Sequence, residues 1–268
     1  MSNSLIIGSG NLGKIIIDGF GRSKKPLIVY DKDQKSFDSL KKNKYQDIRF
    51  ASNLNLINWE NIKYLMICVK PKDIEGLVDE IKNLVKKNTL IISFVAGLRV
   101  EKINKLFLEN FKIIRLMPNI LLQVDKSATA AFKNFRKKMF TKQFEKDFHF
   151  LGKLRWLQRE EDLNFFTALY GGGPAYLAFF LKCLQDISVK KGLKKNISQE
   201  MILSLLIGTS KFIEHNRLSL AELIKIVSSK GGTTEEAIKF LKKNNLFLNF
   251  LEKAMKNAEE KSKTLSKT

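Results

Sequence analysis

Cysteine and histidine are scarce in this chain, with two residues of each among 268. Cys68 and Cys183 lie far apart within apolar stretches, so we expect neither a disulfide nor a cysteine metal site, as is typical of a reducing cytosol. With only His149 and His215, a Ser-His-Asp triad or a histidine-rich metal centre has little raw material. We therefore expect both histidines to be surface or packing residues and the protein to hold no metal.

Long apolar runs are also lacking. The longest candidate, residues 174–184, is interrupted by Lys182 and is too short to cross a bilayer. The sequence goes straight into a strand-like segment, without a charged-then-apolar leader. We therefore expect a soluble, cytoplasmic protein that does not associate with a membrane.

Positive charge, in contrast, is abundant: 48 Lys and Arg against 27 Asp and Glu give a net charge of +21. Such a charge can indicate a nucleic-acid partner. The lysines are, however, spread over nearly every segment. The densest run, residues 133–146, is interleaved with phenylalanine and methionine, as on an amphipathic helix with a solvated face. We interpret the excess as a composition bias and expect no nucleic-acid partner.

A glycine-rich turn follows the first apolar segment. Residues 4–7 have the pattern of a strand, Gly8-Ser9-Gly10-Asn11-Leu12-Gly13 comes next, and residues 14–20 have the apolar face of a helix. In this setting, G-x-G-x-x-G predicts a site for a dinucleotide pyrophosphate. Gly8 would make the tight turn, Gly10 would admit the pyrophosphate, and Gly13 would let helix and strand pack closely. The alternative is a glycine-rich turn without a ligand.

An acidic residue ends the second strand-like segment. Asp31 follows residues 27–30, at about the spacing expected for the carboxylate that holds the ribose hydroxyls of a dinucleotide. Because Asp31 would repel a 2′-phosphate, the sequence favours NADH. The neighbouring Lys32 leaves NADPH open.

The first half of the chain alternates strand-like and helical patterns. Helical patterns cover residues 73–86 and 100–109. Between them lie the largely apolar segments 64–69, 89–94 and 112–117, with two further strands at 129–132 and 153–157. Together with the first two segments they predict an α/β fold with a mostly parallel sheet covered on both faces. Ligands bind beyond the carboxyl ends of such strands. At those ends lie Gly8, Asp31, Val69-Lys70-Pro71, Ala96-Gly97 and Pro118-Asn119.

The second half has helical patterns almost throughout. The polar residues 158–162 mark the boundary, which divides the chain into a dinucleotide-binding domain, 1–158, and an all-α domain, 159–268. Pro174 would start a long helix that is apolar nearly all round and so needs burial on several sides. Ser198 would cap the next helix. About 110 residues of helix can hardly bury such a surface alone, so we expect a partner subunit.

The loop at residues 228–234, Ser-Ser-Lys-Gly-Gly-Thr-Thr, joins two of these helices. Its paired glycines allow a close approach of the backbone, and a helix N-terminus favours an anion such as a small carboxylate. The alternative is an ordinary helix–loop–helix corner with Thr233 or Thr234 as the N-cap.

Seven motifs in order give the chain a resemblance to pyrroline-5-carboxylate reductase over essentially its whole length. They are Gly8-Ser9-Gly10-Asn11-Leu12-Gly13, Val69-Lys70-Pro71, Ser93 with Ala96-Gly97, Arg115-Leu116-Met117-Pro118-Asn119, Gly173-Pro174-Ala175-Tyr176, Gly231-Gly232-Thr233-Thr234 and Leu265-Ser266-Lys267. The resemblance implies a Rossmann-type NAD(P)-binding domain, a helical dimerisation domain, and active sites where two subunits meet. The implied reaction is the reduction of 1-pyrroline-5-carboxylate to L-proline with NADPH or NADH.

The resemblance also implies roles for single residues. The imino-acid carboxylate would bind Ser229 and the N–H groups of Gly231, Gly232 and Thr233, while Thr234 would place its hydroxyl near the ring nitrogen. The cofactor would be held by Gly8, Ser9, Gly10, Asn11, Leu12, Gly13, Asp31, Val69, Lys70, Pro71, Ala96 and Gly97. The role of Arg115 stays open: it could be a site residue or a structural ion-pair partner.

Two departures from the family pattern keep alternatives in view. Gly172 stands where the family has serine, and Lys230 stands where it has a proline that would stiffen the loop. A non-catalytic relative that only binds a nucleotide is therefore one alternative. A β-hydroxyacid dehydrogenase is another, although Leu177 stands where that class has a catalytic lysine. The choice of cofactor, the assembly beyond a dimer and the acceptance of six-membered imines stay open.

Overall fold

The computed structural model describes residues 3–41, 45–136 and 138–265. Eight strands form one sheet. Their bounds are β1 Asn3–Ile7, β2 Leu27–Tyr30, β3 Ile48–Ala51, β4 Ile62–Ile67, β5 Leu90–Ser93, β6 Lys112–Met117, β7 Ala128–Lys133 and β8 Lys153–Trp156. The α-helices are α1 Asn11–Arg22, α2 Phe37–Lys41, α3 Ile74–Ile81, α4 Val100–Phe107, α5 Lys138–Asp147, α6 Asp162–Phe166, α7 Gly173–Lys190, α8 Lys195–Asn216, α9 Leu220–Val227, α10 Thr233–Lys242 and α11 Leu246–Leu265.

The strand order in the sheet is β3-β2-β1-β4-β5-β6-β7-β8. All neighbouring pairs are parallel except β6 with β7. The order reverses between β1 and β4, and ligands of open α/β sheets bind at such a reversal. The mostly parallel sheet and the Rossmann-type topology expected from the sequence are confirmed. The edge strand β3 was missed because only Ile48 of its four residues is buried, so it has no continuous apolar run.

Buried side chains cover both faces of the sheet, since successive residues of a strand point to opposite faces. On one face Ile6 of β1 belongs to a core that includes Ile16 and Phe20 of α1. On the other, Leu5 belongs to a core that includes Leu77 of α3. Helices on both faces explain why these strands are apolar at consecutive positions.

By their packing, the residues form two compact units, one of residues 1–174 and 258–268 and the other of residues 175–257. The division between residues 158 and 159 stays a prediction. In the helical unit, many large apolar side chains are exposed, such as Phe179 and Phe180 on α7 and Leu203, Leu205 and Phe212 on α8. Within the described ranges, no helix is both long and apolar enough to span a membrane.

The start of α8 differs from the prediction. Its N-cap is Lys194, and Ser198 is a buried residue of the first turn whose hydroxyl forms a hydrogen bond with that of Ser188. The prediction that Ser198 caps this helix is therefore wrong. The sequence shows a hydroxyl near a helix start, and a hydroxyl there can equally well be used for helix–helix packing.

Arg115 is a structural residue. It lies within β6 with 7% of its surface exposed, and its Nη1 donates to Glu160 Oε1 over 2.8 Å. The same oxygen accepts from the N–H of Val100 at 2.7 Å, the first residue of α4. Glu160 therefore ties the segment after β8 to the sheet, and Arg115 supplies the charge that balances it.

Asp147 links α5 to the opposite, amino-terminal end of the strands. Its Oδ2 accepts from the Tyr64 hydroxyl at 2.6 Å and from Lys63 Nζ at 3.2 Å, and its Oδ1 accepts from Gln143 Nε2 at 3.0 Å. Burial acts to raise the pKa of Asp147, but the hydrogen bonds from Tyr64, Gln143 and Lys63 outweigh it, so the pKa lies below its ordinary value. The ionised carboxylate therefore stabilises the fold at pH values above its unfolded-state pKa of about 4. This stabilisation is lost as the pH falls through the lower folded-state pKa.

We therefore expect Asp147→Asn to lower the free energy of unfolding at pH 7 by about 1–2 kcal/mol. The difference from the parent should shrink below about pH 4, where the parent carboxylate also becomes protonated. Denaturant unfolding at one protein concentration measures both. Asp79→Asn is the control, because Asp79 pairs with Lys82 while 72% exposed, and such a pair contributes little. Equal losses at pH 7 and at pH 3 would contradict the assignment.

Candidate functional site

The turn between β1 and α1 has the conformation that a nucleotide pyrophosphate requires. Gly8 has φ +103°, which favours glycine, and a Cβ on Gly13 would lie 2.1 Å from the Gly8 carbonyl oxygen. Around Gly10, in contrast, a Cβ would have no neighbour within 4 Å, so its space is open to a ligand. Gly10 is the N-cap of α1 without a side-chain capping bond, which leaves the first N–H groups of the helix available to an anion.

A cavity of about 470 Å³ lies at the carboxyl ends of β1, β2 and β4. Five residues predicted to bind the cofactor line it: Gly8, Gly10, Asp31, Val69 and Lys70. The other predicted cofactor residues lie in the same loops or beyond β5 and do not line it: Ser9, Asn11, Leu12, Gly13, Pro71, Ala96 and Gly97. Thus the structure brings together the strand ends nearest the reversal of strand order and leaves the β5 loop outside the cavity wall.

The cavity wall also contains residues that sequence reasoning did not assign. Asp73, Gly76 and Leu77 lie at or near the start of α3, and Cys68 directly follows β4. The sequence could have indicated these residues by their position after β4, because the helix that follows a strand begins at the edge of the sheet where that strand ends. Burial raises the pKa of the Cys68 thiol, so this cysteine is an inert part of the wall.

Asp31 is held in place by the glycine turn itself. Its Oδ2 accepts from the backbone N–H of Ser9 at 2.6 Å and from the Ser9 hydroxyl at 2.8 Å. Its Oδ1 accepts from the N–H of Asp33 at 2.9 Å. Ser9, which is buried, therefore acts by orienting Asp31, and it also forms a hydrogen bond with the hydroxyl of Ser36.

The second predicted site, residues 228–234, lies in the helical unit. Gly231 has φ +75°, a conformation that favours glycine. A Cβ on Gly232 would lie 2.8 Å from the hydroxyl oxygen of Ser229, a side-chain atom that can rotate away. The N-cap of α10 is Gly232, without a side-chain capping bond, and Thr233 is the first helical residue. The alternative in which Thr233 or Thr234 is the N-cap is therefore wrong.

Three of the four hydroxyl groups of this loop are available to a ligand. Among the described residues, the hydroxyls of Ser229, Thr233 and Thr234 have no hydrogen-bond partner, and the Ser228 hydroxyl oxygen is buried without one. Lys230 is exposed. The three hydroxyls of Ser229, Thr233 and Thr234, next to a helix N-terminus, form a surface suited to a small polar anion.

One backbone donor of this loop already binds a carboxylate of the chain. The N–H of Gly231 donates to Glu235 Oε2 at 2.8 Å, and the same oxygen lies 3.3 Å from Lys239 Nζ. The hydrogen bond from Gly231 lowers the pKa of Glu235, followed in effect by that from Lys239. This donor is therefore occupied by a carboxylate from the first turn of α10, and the binding of a substrate anion by the loop stays a prediction. The motif residues Ser266 and Lys267 lie outside the described residues.

Two family models match the chain. One, described as pyrroline-5-carboxylate reductase dimerisation, covers residues 160–265, and the other, described as NADP oxidoreductase coenzyme F420-dependent, covers residues 5–97. Among curated relatives, the pyrroline-5-carboxylate reductase of Aquifex aeolicus is 30% identical over 266 residues, covering 97% of this chain and 96% of its own. That of Staphylococcus haemolyticus is 31% identical over 272 residues, covering 96% of both chains.

Solved structures show the same similarity. A pyrroline-5-carboxylate reductase from Coxiella burnetii superposes with a TM-score of 0.87 at 28% identity, covering 100% of this chain and 99% of its own. The Plasmodium falciparum pyrroline carboxylate reductase, solved with NADP bound, has a TM-score of 0.82 at 24% identity and covers 99% and 98%. The similarity thus extends over both predicted sites.

Proposed function

Because the chain belongs to the pyrroline-5-carboxylate reductase family, we propose that it reduces 1-pyrroline-5-carboxylate to L-proline with NADH or NADPH. It is an NAD(P)H-dependent oxidoreductase that acts on a cyclic C=N bond. The observation that carries the assignment is the pairing of two features in one chain. The glycine turn opens onto a cavity large enough for part of a nucleotide, and the loop at residues 228–234 offers free hydroxyls and backbone donors to a carboxylate.

The residues present fit a nicotinamide dinucleotide. Open space at Gly10 and the uncapped start of α1 suit the pyrophosphate, and Asp31 suits the ribose hydroxyls. Val69 and Lys70 line the cavity beyond β4, on the side that we assign to the nicotinamide. When bound, the reduced nicotinamide supplies the hydride.

The protein's own part in the reaction is to bind, orient and polarise the imine. Reduction adds a hydride to the imine carbon and a proton to the ring nitrogen. We assign the substrate carboxylate to Ser229 and to the N–H groups of Gly231, Gly232 and Thr233, and the ring nitrogen to the hydroxyl of Thr234. A threonine hydroxyl is a weak acid, so its role is to orient a substrate that is already partly protonated and therefore accepts hydride more readily.

The active assembly that we propose is a homodimer or an assembly of dimers. The matched dimerisation model and the exposed apolar side chains of α7 and α8 support it, since monomeric proteins rarely leave such surfaces in water. A cytoplasmic location and the absence of a nucleic-acid partner stay predictions.

An assay of the purified protein tests the function. We expect oxidation of NADH or NADPH, followed at 340 nm, that depends on added 1-pyrroline-5-carboxylate and yields proline. Oxidation of hydroxy acids without imine reduction would instead support a β-hydroxyacid dehydrogenase. Nucleotide binding with no turnover of any imine would support the non-catalytic relative.

Glu235 should compete with the substrate for the loop. Its carboxylate accepts from Gly231, one of the donors that we assign to the substrate carboxylate, and its charge repels an anion. We therefore expect Glu235→Gln to lower KM for the imine about threefold while kcat changes little. Steady-state kinetics measure the two separately. Glu236→Gln is the matched control, because Glu236 pairs with the same Lys239 without contacting Gly231. Equal KM changes in both variants would show that the effect comes from general surface charge and would contradict direct competition by Glu235.

A further inference from the structure

The cavity has a carboxylate at the edge where the adenosine ribose of the cofactor would lie. Asp31 lies there directly after β2, with three hydrogen bonds to its two carboxylate oxygens from Ser9 and Asp33. These donors fix the position and orientation of the carboxylate. A fixed carboxylate accepts hydrogen bonds from ribose hydroxyls and repels a phosphate in the same place.

The cation next to this carboxylate is already neutralised. Lys32 Nζ lies 2.6 Å from Glu80 Oε1 on α3, and this hydrogen bond raises the pKa of Lys32. The charge of Asp73, which lines the same cavity, acts on Lys32 in the same direction. The two remaining cations of the wall, Lys70 and Lys72, follow β4, on the side assigned to the nicotinamide. At the end of β2 the cavity wall therefore has the fixed carboxylate of Asp31 and a single lysine, Lys32, whose ammonium group is paired with Glu80.

We infer that this chain prefers NADH to NADPH, and that Glu80 strengthens the preference by holding Lys32 in an ion pair. The inference rests on the proposed function and narrows it to one of the two cofactors. NADPH differs from NADH by one 2′-phosphate, which carries close to two negative charges at neutral pH. To bind, it must approach Asp31 and must also draw Lys32 away from Glu80. Glu80 need not touch the cofactor and is therefore a positioning residue.

Binding and rate measurements on the full-length protein test the preference. We expect the dissociation constant for NADPH, from quenching of protein fluorescence, to exceed that for NADH at least tenfold, with a similar ratio in kcat/KM. Asp31→Asn should bring the two dissociation constants within about threefold, by tightening NADPH and weakening NADH. An NADPH affinity equal to or above that of NADH in the parent protein would overturn the inference.

The role of Glu80 needs a double-mutant cycle. Glu80→Gln should tighten NADPH about threefold to fivefold, the range expected for an exposed ion pair, and should affect NADH far less. In a Lys32→Gln background, the same change should have no effect, because Lys32 carries the influence of Glu80. Asp79→Asn, on the same helix but paired with Lys82, is the control and should change neither affinity. A Glu80→Gln effect that persists without Lys32 would contradict the positioning role.

The two proposals fail in different ways. Absence of imine reduction together with a retained NADH preference in binding would reject the reductase function and keep the cofactor inference. Imine reduction that is faster with NADPH than with NADH, at equal concentrations below KM, would keep the reductase function and reject the cofactor inference.

Discussion

Replacing Thr234 by alanine is expected to lower kcat for imine reduction by about tenfold to a hundredfold, while the dissociation constant for NADH changes less than twofold. The hydroxyl of Thr234 has no partner among the described residues, so its removal leaves no buried group unsatisfied. Alanine is also a better helix former than threonine in the first turn of α10. The loss should therefore come from the orientation of the substrate and not from unfolding.

Stopped-flow single-turnover rates and fluorescence titration with NADH separate the two effects. Thr234→Ser is the control, because it keeps a hydroxyl at the same position and should retain most of the turnover. Weaker NADH binding together with normal turnover would contradict the assignment of Thr234 to the substrate.

The second large effect concerns two glycines of one turn. We expect Gly13→Ala to abolish measurable NADH binding and to destabilise the fold by about 1–3 kcal/mol, the range of overpacking. The new Cβ would lie 2.1 Å from the carbonyl oxygen and 3.0 Å from the carbonyl carbon of Gly8, and these backbone atoms cannot move without opening the turn.

Gly10→Ala should separate binding from stability. Its Cβ would meet nothing within 4 Å and its φ of −64° suits alanine, so thermal unfolding should be unchanged or slightly raised. The methyl group would, however, occupy the space that we assign to the pyrophosphate, so NADH affinity should fall at least tenfold. Calorimetry and fluorescence titration on both variants test this pair. Full NADH affinity in Gly10→Ala would place the pyrophosphate elsewhere.

The sheet could be predicted from the sequence because its central strands are buried on both faces. Segments such as residues 64–67 of β4 are therefore continuously apolar, which is a local signal. The edge strand Ile48–Ala51 has one buried residue and gives no such signal. Helix starts were less predictable: hydroxyl residues near the starts of α8 and α10 suggested caps, but a lysine and a glycine occupy those positions.

The cofactor site was predictable where it depends on the backbone, as at Gly8 and Gly13, because only glycine fits those positions. Contacts between distant side chains were not. Lys32 and Glu80 are 48 residues apart, and nothing local indicates that α3 places one beside the other. The same holds for Glu160, whose contact with Arg115 spans 45 residues and decides the role of that arginine.

The end of the last helix has a consequence for protein engineering. Residues 258–265 pack with the nucleotide-binding unit, where the buried Ser262 donates to the side-chain oxygen of Asn164 over 2.9 Å. The polypeptide therefore leaves that unit after residue 174 and returns to it after residue 257. A chimera that exchanges everything from residue 160 onward would discard part of the host's own packing. Residues 175–257 are the segment to exchange between relatives. Both junctions then lie inside helices, α7 and α11, so the helical register must be kept across each junction.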